Sequence, residues 1–395
     1  MTERLFELDS YAFSFDACVL SCTPEKDGRY LVVLDRTGFF PEGGGQACDL
    51  GTLDGARVLD VQEDQEMTIR HTVERAFAVG QRVHGAIDCE RRLDLMQQHT
   101  GEHILSSAFY NLYGAKNIGF HLGERFVMIH LDQVLTAQQV DAAEELANRY
   151  IQENHAITTF FPSGEEYDAL EMRKRPEGLS GRIRIVRMEG VECIPCCGTH
   201  CRTTAGAGMI KVFGFIHYKG GIRVTMAAGL RAYRECAREH DILTAVANGF
   251  STAAENVPAN VDKLREENAA LRASLKAANG KIFQGLCETL WAQDGIILYD
   301  GGEMAAGDVN QLLEMLVKRP GVTACIFSRR EGRLFYSIGA SKEEGGDARS
   351  LCQEINRVFA GKGGGNAVRA QGSAAFPQDF SDQLTALRQM LAARR

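Results

Sequence analysis

No apolar run in this 395-residue chain approaches the length a membrane span needs. The first residues, Met1-Thr2-Glu3-Arg4-Leu5-Phe6, lack a basic segment followed by an apolar one, so no signal peptide is read there. Beside Cys193-x-x-Cys196 there is no second C-x-x-C, which leaves a zinc knuckle built from two such pairs without its other half. The glycine-rich Gly361-Lys362-Gly363-Gly364-Gly365 lacks the spacing of a P-loop, so nucleotide hydrolysis is not indicated. No Ser-His-Asp constellation is evident, and no side-chain nucleophile is assigned. Cationic excess is also missing: the net charge of −8 argues against indiscriminate nucleic-acid binding, although local basic patches can still hold phosphate. The 12 cysteines are scattered without export signals, which points to reduced thiols and a cytoplasmic protein.

What is present is ordinary in bulk and specific in detail. A hydrophobic content of 45% and a charged content of 24% suit a soluble globular protein, long enough for two or three domains. The specific part begins at His99-Thr100-Gly101-Glu102-His103. Residues four apart share a helix face, so both imidazoles can aim at one point. Cys196-Cys197-Gly198-Thr199-His200 repeats the spacing with a thiolate and a third imidazole, the ligand types Zn²⁺ prefers. His99, His103, Cys196 and His200 are therefore the candidate metal ligands, with Cys197 as a substitute. Glu102 is read as pointing away from the shared face, solvated or behind the ligands. His121, His130, His155 and His217 are left out of the site, because a lone histidine is usually structural.

Together, H-T-x-x-H and the later C-x-G-T-H resemble the editing domain of alanyl-tRNA synthetases and of the free-standing AlaX alanyl-tRNA editing proteins, the long AlaX class most closely. Phe39-Phe40-Pro41-Glu42-Gly43-Gly44-Gly45-Gln46 and Lys219-Gly220-Gly221-Ile222-Arg223-Val224 fit the same pattern. Gly361 to Gly365 resembles the glycine-rich signature of the synthetase's C-terminal domain. The resemblance covers nearly the whole chain and makes Thr37 and Gln46 catalytic candidates that would line an acyl pocket. It implies hydrolysis of Ser-tRNA(Ala), with Gly-tRNA(Ala) as a further candidate. With no room for an aminoacylation core before residue 15, the expected action is in trans.

Taken in order, the chain reads as an α+β protein. Short β-rich runs such as Tyr30–Asp35 and Ala56–Val61 make residues 1–88 a small antiparallel β-barrel carrying the glycine-rich loop. Residues 89–235 form the α/β editing domain with the zinc site. In it, Asp88 caps a helix from about Glu90 to Tyr113 that Gly114 closes, and a second helix runs from Thr136 to Asn154. Residues 236–280 read as a helical hairpin or coiled coil, with Val261, Leu264, Asn268, Leu271, Leu275 and Ala278 on a seam. Residues 281–395 form a C-terminal α/β domain with strands at Gly295–Tyr299 and Val322–Phe327. A homodimer through 236–395 is the expected assembly, and no membrane contact is expected.

The candidate RNA contacts are Arg173, Lys174, Arg175 and Arg182 in a basic run ahead of the Cys196 turn, and Lys362, Gly363, Gly364 and Gly365 near the C-terminus. Arg184 and Arg187 extend the basic run, and the segment from Arg182 to Met188 reads as a half-exposed strand. Four protein ligands would close a tetrahedral site. Either one ligand stays loose, or the ion becomes five-coordinate, or it only positions the terminal adenosine of tRNA. Three rival readings remain: a zinc-stabilised tRNA-binding module without catalysis, a zinc hydrolase acting on peptides, and editing of another tRNA such as Ser-tRNA(Thr).

Overall fold

The computed structural model describes residues 2–173, 175, 182–292, 296–343 and 346–393. Lys174 and Gly295, singled out above, lie outside the described residues. The chain divides into two compact units, Met1–Ala245 and Val246–Arg395. No helix among the described residues is long and apolar enough to cross a membrane.

The first unit begins with a closed six-stranded barrel. Its strands are Ser14–Pro24, Tyr30–Leu34, Gly51–Leu53, Ala56–Glu63, Ile69–Val73 and Arg82–Ile87, and every pairing is antiparallel. Alternation along the strands sends Val32, Leu34, Leu53, Val61, Ile69 and Val73 inward, where they are fully buried. Closure leaves no unpaired edge in so small a sheet.

Behind the barrel runs the helix Cys89–Tyr113. The Asp88 side chain accepts from the amide of Arg91 at its start, and Gly114 ends it in the left-handed region at φ 67°. Its Arg92 is fully buried and ion-paired with Asp49, and its guanidinium also donates to the carbonyls of Ser10 and Gly38, each at 2.7 Å. That clamp fixes the barrel against the helix. The other side of the helix packs on a four-stranded sheet ordered Ile210–Tyr218, Gly221–Ala228, Val127–Leu131, Asn117–Leu122. Gly101 is the point of closest approach, since a Cβ there would lie 2.5 Å from that of Ala228. A capped helix, Ala137–Glu153, packs alongside, held by a Thr136 and Gln139 capping box. A small three-stranded sheet of Ile157–Phe160, Ile185–Met188 and Glu192–Pro195 leads into the Cys196 turn.

The second unit opens with the 34-residue helix Val257–Leu290. On its seam Leu264, Leu271 and Leu275 are 53%, 69% and 61% exposed, so more than half of each leucine faces outward among the described residues. A five-stranded sheet comes next, ordered Ile296–Asp300, Thr323–Arg330, Arg333–Ala340, Arg369–Ala375, Lys362–Gly365, with three helices between its strands and at its end. The glycine block forms an edge strand. Small residues are needed there: a Cβ on Gly363 would sit 2.4 Å from the carbonyl oxygen of Gln371.

Candidate metal centre and its cavity

The long helix and the Cys196 turn meet. One donor atom each from His99, His103, Cys196 and His200 lies within 4.8 Å of all the others. The Cys196 sulfur is 3.5 Å from Nε2 of His99 and 3.3 Å from Nε2 of His200. Bond lengths of about 2.0–2.3 Å to zinc imply ligand-to-ligand edges of roughly 3.3–3.6 Å in a tetrahedron, so the two sulfur–nitrogen edges match such an ion.

Each imidazole is aimed by a partner at its other nitrogen. Nδ1 of His99 lies 2.8 Å from Oε1 of Gln46. Nδ1 of His103 contacts a carboxylate oxygen of Glu192, and Nδ1 of His200 lies 3.3 Å from the Thr100 hydroxyl. The three Nε2 atoms are thereby left for a metal, the usual way in which outer partners fix tautomer and ring orientation. Gln46 is itself locked. Its Nε2 donates to the Thr199 hydroxyl at 2.8 Å, and its Oε1 also accepts the Thr199 amide at 3.1 Å. Gly198 is small because His99 packs on it: a Cβ would meet the ring carbon Cε1 at 2.1 Å.

The electrostatics suit a deprotonated sulfur. Burial alone would push the Cys196 thiol up, but His99, His200 and His103 outweigh it and hold the thiol well below its usual range. Burial drives His200 down to about 3, which favours the neutral, ligating ring. Glu192 is buried too, yet His103 and Arg173 pull it down to about 2. Against its own burial, the Glu192 carboxylate and Cys196 raise His103 well above the ordinary histidine range in the absence of an ion.

A cavity of about 500 Å³ opens onto this cluster. His99, His103 and Cys196 face it, together with Glu102, Asn117, Phe120 and the arginines 173, 182 and 184. Gly44 of the glycine-rich loop also reaches its wall, whereas Gln46 and Thr37 are not among the lining residues. Thr37 is fully buried beside the barrel core, its hydroxyl 2.8 Å from Nε2 of His71 and accepting the Phe39 amide at 3.1 Å.

Several expectations need correction. Glu102, read as solvated or behind the ligands, is 2% exposed, which excludes the first alternative. Its place three residues after His99 keeps it near the same helix edge, so its carboxylate turns into the cavity wall. The basic run, read as RNA contacts, is largely engaged within the protein. Arg173 is nearly buried and paired with Glu192 at 2.9 Å, and Arg184 is buried with Nη1 donating to the carbonyls of Cys196 and Gly198 at 3.0 and 2.7 Å. Arg175 pairs with Asp168 at 3.3 Å, while the Arg182 guanidinium stacks 3.6 Å from the Phe161 ring centroid. The chain brings His99, His103, Cys196, Arg173 and Arg182 to one cavity, and His200 joins the first three in the ligand cluster. Lys362 to Gly365 belong to the other unit.

Glu192 and Thr100, which contact His103 and His200, are missed by the sequence reading. Glu192 carries one signal: it occupies an inward-facing position of a short strand, in phase with buried Ile194. A carboxylate in an apolar phase needs a partner, and here it has three, in His103, Ser107 and Arg173.

Residues 20–91 match the family described as tRNA synthetases class II (A). The chain is 30% identical over 397 residues to the alanyl-tRNA editing protein Aarsd1-B of Xenopus laevis, covering 93% of this chain and 92% of that protein. It is 28% identical to the alanyl-tRNA editing protein AlaX-L of Pyrococcus horikoshii, with 97% of both chains covered. An alanine–tRNA ligase from Ignicoccus hospitalis is 30% identical over 387 residues, but the matched part is only 41% of that ligase.

Proposed function

The chain belongs to the alanyl-tRNA editing protein family, and from that premise we propose that it is an aminoacyl-tRNA deacylase clearing tRNA(Ala) that carries the wrong amino acid. Serine is the foremost target and glycine the second. The protein acts in trans, with zinc held by His99, His103, Cys196 and His200. The observation that carries this reading is that three of the four ligands face an open cavity rather than a closed core. A purely structural zinc site is sealed by its ligands, while a catalytic one keeps access for substrate.

Bound zinc would supply a Lewis acid that lowers the pKa of water and polarises an ester carbonyl. The protein's own residues do the rest. Gln46, Glu192 and Thr100 hold the imidazoles in register. Arg182 and Arg184 lend positive charge to the cavity wall, suited to the phosphate of a tRNA 3′ end. Phe120 and Ile194 add apolar wall that excludes bulk water. Selection against serine is needed because a pocket shaped for alanine rejects one extra hydroxyl by only ~10².

In the same reading, residues 1–88, 89–235, 236–280 and 281–395 are barrel, editing, helical and C-terminal parts. The exposed leucines of Val257–Leu290 would serve a homodimer, and the edge strand at Lys362 would contact RNA. The decisive test is deacylation of Ser-, Gly- and Ala-tRNA(Ala) with and without a chelator. Chelator-sensitive loss of the seryl ester, with the alanyl ester spared, is the expected result. A His99→Ala, Cys196→Ala protein that loses zinc and unfolds altogether would favour a structural ion. Activity on peptides but not on charged tRNA would sink the proposal.

A further inference from the structure

Glu102 is the only carboxylate among the described residues lining the cavity; the other charged side chains there, apart from the ligating histidines, are arginines 173, 182 and 184. Its two oxygens are not equivalent. Oε1 accepts from the Ser106 hydroxyl at 2.6 Å and from the Asn117 side-chain amide. Oε2 accepts no hydrogen bond among the described residues; the polar atom beside it is Nε2 of His103 at 3.9 Å, too far to bond. No arginine or lysine pairs with Glu102 among the described residues, although Glu192, against His103, has Arg173. A buried carboxylate with one idle oxygen is costly unless a cation meets it.

An aminoacyl ester brings such a cation. Its α-ammonium nitrogen lies about 2.5 Å from the ester carbonyl carbon by ordinary bond geometry. A carbonyl held at the histidine cluster therefore carries the ammonium within reach of a group beside His103. The anionic parts of the substrate suit the arginines, and the ammonium has one acceptor available. Resting on the deacylase reading above, we infer that Oε2 of Glu102 binds the free α-ammonium of the aminoacyl group. Asn117 and Ser106 hold the carboxylate in place from behind. The subsite makes the enzyme selective for esters with a free amine, so tRNA carrying an N-acylated residue, such as a growing peptide, is spared.

The test uses the full-length zinc-loaded protein and Glu102→Gln, which keeps Oε1 for Ser106 and Asn117. The substrates are Ser-tRNA(Ala) and its nitrous-acid product, the 2,3-dihydroxypropionyl ester, in which a hydroxyl replaces the ammonium. Rates at pH 6.5, where the α-amine is charged, are divided by those of spontaneous hydrolysis. A charge-assisted hydrogen bond predicts that wild type prefers the seryl ester by about 10- to 100-fold in kcat/KM. Glu102→Gln should lose that much on the seryl ester and treat the two substrates within about 3-fold, with zinc content and Tm retained. Equal wild-type rates on both esters would overturn the inference while leaving the deacylase intact. Equal slowing of both esters in Glu102→Gln would also overturn it, and would make the carboxylate a base. Failure of wild type on Ser-tRNA(Ala) itself would remove the deacylase reading and the subsite with it.

Discussion

Oε1 of Gln46 lies 2.8 Å from Nδ1 of His99, so a loop of the barrel sets which nitrogen of the first ligand is free. Gln46→Ala removes that acceptor and the brace on Thr199. Zinc affinity should fall about 10- to 100-fold, measured by competition with a chromophoric chelator. An unchanged affinity would mean the ring is held by its packing on Gly198 alone.

Gly198→Ala tests that packing. The new methyl group would collide with the His99 ring at 2.1 Å, on atoms that cannot move without leaving the cluster. Zinc stoichiometry of the purified protein should drop well below one. A fully loaded variant of normal stability would show that the turn can shift at little cost.

The Arg92–Asp49 pair has no exposure on either side chain. Arg92→Met leaves Asp49 buried without its cation and strands the carbonyls of Ser10 and Gly38. A loss of roughly 3–5 kcal/mol in denaturant unfolding is expected. A change below about 1 kcal/mol would mean that water reaches Asp49.

Acid should weaken the protein through His71. Burial lowers this histidine from 6.5 to about 4. The folded state keeps it neutral while the unfolded chain takes up a proton, so stability is complete above pH 6.5 and falls as pH drops towards 4. The loss across that window is roughly 3 kcal/mol. His71→Gln, measured by urea unfolding at pH 7 and pH 4.5, should show less of this acid sensitivity; an identical slope would assign it to other groups.

Much of this organisation is legible in residue order, and the exceptions have physical causes. Asp88 and Gly114 cap the first long helix as expected, and Thr136 and Asn154, read as the ends of the second, are its caps, because capping is local chemistry. The barrel emerges from period-two runs between turn residues. The four candidate ligands are visible as two spacings, but Glu192 and Thr100 are not, since their partners come from strands or turns distant in the chain. Glu102 reads as pointing away from the shared face when only the four-residue step between the histidines is weighed; its three-residue step from His99 is what turns it to the cavity. The glycines at 363 and 365 look like helix breakers; only pairing with Arg369–Ala375 reveals that they permit a close strand contact.

The metal cluster draws on three stretches made at different times on the ribosome: the loop at Gln46, the helix at His99 and the turn at Cys196. The proposed ion could be trapped in full only after roughly half of the chain has emerged and the barrel has seated against the helix behind it. With the proposed zinc as its occupant, loading would be a late checkpoint in biogenesis, and a nascent chain stalled before Cys196 would stay metal-poor however much zinc surrounded it.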